Sequence, residues 1–182
     1  MNKTIVINVE KCLACKNCEL ACAIAHSKSG RLEDAINEQP RPQSRVTVEL
    51  SDEMAVPIQC KHCEDAPCMT ICPTGAIYRT NPENPVLINE DLCIGCKFCM
   101  LVCPFGVIDI ATDGKAVTKC DLCISRRSAE AEPACVQACP TGALEFYDLR
   151  DFSKQRRQVA AAGTARQTTN ADIVSETKDE SQ

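Results

Sequence analysis

Residues 93–104 read Cys-Ile-Gly-Cys-Lys-Phe-Cys-Met-Leu-Val-Cys-Pro, and no other stretch constrains the chain as tightly. Three cysteines recur at intervals of three, a fourth follows four residues later, and proline closes the run. This is ligand spacing for [4Fe–4S] cubes. Cys93, Cys96 and Cys99 fall on one short loop, so their thiolates can converge on three irons of one cube. Cys103 lies about one helical turn beyond Cys99, which aims it away from that cube and toward a second one. The run therefore demands a partner set.

Three more sets answer it. The first, Cys12, Cys15, Cys18 and Cys22, keeps the same spacing but has Ala23 where proline would stand. The second is Cys60, Cys63, Cys68 and Cys72-Pro73, with four residues between its second and third cysteines. The last is Cys120, Cys123, Cys135 and Cys139-Pro140, with eleven residues, 124–134, in the same gap. Three sets end in one related phrase: Cys72-Pro-Thr-Gly-Ala-Ile77, Cys103-Pro-Phe-Gly-Val-Ile108 and Cys139-Pro-Thr-Gly-Ala-Leu144. Proline stops the helix and lacks an N–H, and glycine permits positive φ beside a bulky group. The phrase marks an internal repeat, and four half-units make two ferredoxin-like modules.

The outward-pointing fourth cysteine makes ligand pairing a topological question. The second and third sets are adjacent, so Cys60, Cys63 and Cys68 take Cys103, while Cys93, Cys96 and Cys99 take Cys72. The first and fourth sets then pair across the chain. Cys12, Cys15 and Cys18 take Cys139, and Cys120, Cys123 and Cys135 take Cys22. The expected fold is α+β, with two double-cluster modules, long loops and a helical or disordered C-terminal tail. The outer module is discontinuous, 1–50 and 113–147. The inner module, 51–112, is inserted in it, and 148–182 form the tail.

Composition narrows the alternatives. Cysteine makes up 16 of 182 residues, about 9%, a level that means disulfides, zinc or iron–sulfur clusters. The first ten residues contain no apolar signal core and no twin arginine, which predicts a reducing cytoplasmic setting and free or metal-bound thiols. Zinc would also use thiolate quartets. Its sites, however, pair two Cys-x2-Cys units across a gap, whereas three of these sets continue into Cys-x3-Cys-Pro. With no Trp and only six aromatic residues, the core is poor in large side chains, so clusters are expected to hold the fold together. A net charge of −5 argues against nucleic acid as a partner. No apolar run reaches the ~18 residues that suggest a transmembrane helix.

Local patterning predicts strands over 3–9, 45–50, 54–58 and 86–89, with Pro57 marking an edge strand. A helix from Glu19 to His26 should run longer than those after the other sets, because no proline ends it. Residues 27–43 read as an inserted loop. In the tail, 151–162 read as helix, and the polar run beyond Gly163 reads as disorder. His26 is expected to close a helix and His62 to cover a cluster loop as a polar lid; proton relay or ligation is the alternative for each. Lys16, Lys61, Lys97 and Lys119 border cluster loops, where they either raise reduction potentials or are ordinary solvated side chains. Arg126 and Arg127 could dock an acidic partner face or be merely solvated.

The order of the four sets, the longer second spacing and the eleven-residue gap resemble the four-cluster iron–sulfur subunit of the dimethyl sulfoxide reductase type. The resemblance covers about residues 3–147 and implies four [4Fe–4S] clusters with crossed ligation. Within that family, the stretch Cys12-Leu-Ala-Cys-Lys-Asn-Cys-Glu-Leu-Ala-Cys-Ala-Ile-Ala-His-Ser-Lys-Ser looks most like the small electron-transfer protein that accompanies carbon monoxide dehydrogenase. Pro40-Arg-Pro-Gln-Ser-Arg45 fits the same reading. The implied partners are redox enzyme subunits (carbon monoxide dehydrogenase, hydrogenase, formate dehydrogenase or a flavin oxidoreductase) in a hetero-oligomer without direct membrane insertion. Every cysteine is consumed by a saturated cluster, so no catalytic site is expected. An electron-wiring and assembly or filament scaffold is the alternative.

Overall fold

Three cysteines within seven residues leave no room for a regular element, so the chain crosses such loops through left-handed backbone. The computed structural model describes residues 3–124 and 131–179. It shows this conformation at matching positions: Ala14 and Lys16 in the first set, Gly95 and Lys97 in the third, all have φ between 55° and 69°. Strand β1 (Lys3–Ile7) ends two residues earlier than expected, because Asn8 caps the turn Val9–Lys11, its side chain accepting the Glu10 N–H at 3.2 Å. Asn89 does the same before Cys93, accepting the Asp91 N–H at 3.0 Å.

Helix α1 (Asn17–Ala25) starts from left-handed Lys16 and closes at His26. The segment expected as loop carries a four-residue helix, α2 (Leu32–Ala35), that buries Ala35. Strands β2 (Val46–Ser51) and β3 (Met54–Gln59) form an antiparallel ribbon in which Val48 pairs with Pro57. Both strands of a two-stranded ribbon are edge strands, the position in which proline is tolerated. Next come α3 (Pro67–Thr70), β4 (Ile77–Tyr78) and its antiparallel partner β5 (Leu87–Ile88). Then α4 (Phe98–Val102) leads to the antiparallel pair β6 (Asp109–Ile110) and β7 (Val117–Thr118). After these, α5 (Ala134–Gln137) precedes β8 (Leu144–Asp148), which pairs with β1. At nine residues α1 does outrun α3, α4 and α5, which have four, five and four.

Two small cores hold these pieces. Ile5, Val46, Val48, Leu122, Val136 and Leu144 pack with Cys18, Cys22, Cys120 and Cys135. Ile77, Val86, Ile108 and Val117 pack with Cys68 and Cys99. Hairpin pairing ties β3 to β2, so Ala55 joins the first core, and pairing with β6 carries Val117 into the second.

The chain divides into two compact units, one of Lys3–Phe146 and one that begins at Tyr147. The second holds α6 (Leu149–Asp179), where the Tyr147 and Phe152 rings lie 5.5 Å apart and Arg156 sits 5.9 Å from the Phe152 centroid. The helix runs through Gly163, where disorder was expected to begin. One glycine costs a helix about 1 kcal/mol relative to alanine, and the flanking Ala160–Ala162 and Ala165–Arg166 are good helix formers. No helix among the described residues is long and apolar enough to cross a membrane.

Candidate metal centres

All sixteen thiols are free of disulfides. Cys60, Cys63, Cys68 and Cys103 line one cavity, so the second set meets the last cysteine of the third. Cys22 lies close enough to Cys120, Cys123 and Cys135 that its charge would raise all three thiols, after burial has already pushed them up. Packing of α1 on α5 makes that meeting possible. Cys93 and Cys96 act on Cys99 in the same way, and Cys15 acts on Cys18. Cys12 and Cys139 pack against the first core, and Cys72, Cys93 and Cys103 against the second.

Burial raises the free Cys18 thiol to about 11 and that of Cys120 to about 12. Cys72 and Cys139 go the other way. Their slight burial is outweighed by backbone N–H groups, those of Ile77 and Leu144 foremost. The repeated Cys-Pro-Thr-Gly-Ala phrase thus folds its own amides onto its sulfur: the Ala143 N–H donates to Cys139 Sγ at 3.2 Å. Thr74 and Thr141 hydroxyls stand 3.7 and 3.8 Å from Cys72 and Cys139 Sγ. Other sulfurs receive the same kind of bond, with Arg45 N–H donating to Cys22 Sγ at 3.2 Å and His62 N–H to Cys60 Sγ at 3.4 Å.

One polar network was not legible beforehand. Asp121 accepts from His26 Nε2 at 3.0 Å, from the Arg45 guanidinium at 2.8 Å and from the Cys123 N–H at 2.8 Å. Three distant segments therefore close around Cys22. Burial alone would raise the Asp121 carboxyl, but the His26 hydrogen bond and the Arg45 charge hold it well below the usual carboxylate range. Burial would likewise lower His26, yet its bonds to Asp121 and Cys22 prevail and raise it to about 9. His26 does close α1, with its N–H bonded to Cys22 O and Ala23 O, and it also carries this bridge.

Residues 52–149 match the family of the 4Fe-4S dicluster domain. The chain belongs to this family. An iron-sulfur protein of Rhodospirillum rubrum is 40% identical over 177 residues, covering 91% of this chain and 92% of that protein. The electron transport protein HydN of Escherichia coli (strain K12) is 34% identical, covering 88% and 98%. The thiosulfate reductase electron transfer subunit PhsB of Salmonella typhi is 36% identical, covering 85% and 81%. As a 4Fe-4S dicluster protein of ferredoxin type, the chain holds several [4Fe–4S] clusters and serves electron transfer.

The donor set of this dicluster protein fits those clusters: soft thiolates gathered in groups, with N–H donors turned onto several sulfurs. When bound, such clusters supply reversible one-electron chemistry. Two side chains beside the cysteine loops are buried. His62 lines the cavity of Cys60, Cys63, Cys68 and Cys103 and is 4% exposed, with Nδ1 donating to Val86 O at 3.2 Å. Of the two readings open for Lys119, the solvated one fails, since it is 4% exposed and bonded to Val86 O and Cys120 O. Lys16 does face solvent, 3.7 Å from Glu19, and Lys97 donates to Lys115 O at 2.8 Å. Arg126 and Arg127 lie outside the described residues.

Proposed function

We propose that the chain is a four-cluster electron relay with the crossed ligand sets Cys12/Cys15/Cys18/Cys139, Cys60/Cys63/Cys68/Cys103, Cys93/Cys96/Cys99/Cys72 and Cys120/Cys123/Cys135/Cys22. The observation that carries the reading is the position of Cys22, a first-set residue among fourth-set thiols. The cavity shared by Cys60, Cys63, Cys68 and Cys103 supports the matching exchange between the second and third sets. The protein's own part is to space the thiolates, exclude water from the buried ones and aim N–H groups at their sulfurs, which sets the potential of each site.

The four-cluster organisation is that of the dimethyl sulfoxide reductase type. Carbon monoxide dehydrogenase is the preferred donor, with a hydrogenase, formate dehydrogenase or flavin enzyme at the other end, and the chain has no substrate site of its own. Anaerobic analysis should find about sixteen irons and sixteen sulfides per chain, four for each of four clusters; a plateau near eight would refute the two-module reading. Mixing the oxidised protein with carbon monoxide and its dehydrogenase should bleach the visible bands within a turnover. Bleaching by hydrogenase or formate dehydrogenase alone would keep the relay and change the partner. The 31-residue helix α6 favours a second reading, an assembly scaffold, which light scattering with and without 148–182 decides.

A further inference from the structure

Of the four lysines beside cluster loops, Lys119 is the buried one. It is 4% exposed, and its ammonium donates to two backbone carbonyls, Val86 O and, at 3.1 Å, Cys120 O. No carboxylate among the described residues forms an ion pair with it. An ammonium removed from water without an anion is strongly disfavoured, so the folded protein must supply negative charge nearby.

Thiolates are what surround it. Lys119 is bonded to the carbonyl of Cys120, a fourth-set ligand, and its charge pulls down the Cys68 thiol, a second-set ligand that burial pushes up. Those two sets come together at this seam: Cys60 packs against the core that holds Cys120, and the exposed Lys61 lies near enough to feel both thiolates. Val86 O receives Lys119 and the His62 imidazole together, so the ammonium is held in place rather than swinging to solvent. Lys16 and Lys97 differ, the first paired with Glu19 and largely exposed, the second turned onto the carbonyls of 114–116.

We propose that Lys119 is the internal counter-charge of the relay, a fixed ammonium between the second and fourth ligand sets that makes the two clusters bound there easier to reduce. The inference rests on the four-cluster reading with crossed ligands. Adding one electron to a thiolate-held [4Fe–4S] centre makes it one charge more negative, with no proton moved and no bond made or broken. A fixed positive charge nearby favours the reduced form and raises the potential. Electrons crossing between the two modules would thus pass through sites made favourable at the seam, with Lys61 adding a weaker effect.

The test is anaerobic redox titration of the full chain, followed by electron paramagnetic resonance, in Lys119→Met and Lys119→Gln. Both remove the charge, while glutamine keeps hydrogen-bond donors. Each should retain the iron content of the parent protein and lower at least one potential by a shift equivalent to about tenfold in the reduction equilibrium, 59 mV for one electron. Unchanged potentials in both variants, or a shift in Lys119→Met that Lys119→Gln restores, would make Lys119 a structural clamp and overturn the proposal. If neither variant keeps its iron, Lys61→Met at the same seam replaces them. A smaller downward shift there supports the counter-charge, and none overturns it. An iron content in the parent near eight would instead refute the four-cluster reading.

Discussion

Exchanging Gly95 for alanine isolates how closely the third cysteine loop is packed. Gly95 has φ of +69°, and an added Cβ would collide with the backbone carbonyl oxygen of Lys115, an atom that cannot rotate aside. Gly106, in the phrase after Cys103, has φ of +60° and open space where its Cβ would go. Both alanine variants bear the left-handed backbone cost of about 1–2 kcal/mol. Only Gly95→Ala adds overpacking, about 1–3 kcal/mol more, and it pushes on the carbonyl that anchors Lys97 at 2.8 Å. For a chain of this length 1 kcal/mol moves the melting point by about 2–4 °C. Gly106→Ala should therefore melt about 2–8 °C below the parent and Gly95→Ala about 4–20 °C below. The assay is loss of visible cluster absorbance on anaerobic heating. Bound clusters make unfolding depart from two states, so the comparison is between the two variants under one protocol. Equal losses would refute the argument, because they would mean that the Lys115 carbonyl is free to yield.

Cys22→Ser should perturb one cluster, that of Cys120, Cys123 and Cys135, and leave the resonance of the cluster on Cys12, Cys15 and Cys18 intact; loss of the latter would overturn the crossed sets. Asp121→Ala leaves Arg45 and His26 without their shared anion, and removing one partner of such a buried pair costs about 3–5 kcal/mol. These side chains are 17%, 19% and 4% exposed, so the low end of that range is expected, and a thermal melt within 1 °C of the parent would refute it. A chain ended after Asp148 should keep its full iron content, since every cysteine precedes that point; loss of iron on removing α6 would give the helix a part in cluster retention.

Local chemistry was readable from the residues in order. The spacing of thiols, the length of α1 without a proline at position 23 and the turns after Cys72, Cys103 and Cys139 depend on neighbours a few residues apart. The asparagines before Cys12 and Cys93 belong to the same local pattern, because each caps a turn two residues away. What only the tertiary structure decided lies between distant segments. His26 and Asp121 are 95 residues apart, and nothing local tells either of the other. Burial of His62 and Lys119 depends on Val86, which is brought over them by β5 and the second core. The core that each of β3 and β7 joins is likewise set by its pairing strand. Periodicity reports on a residue's own element, whereas burial and ion pairing depend on which elements pack together.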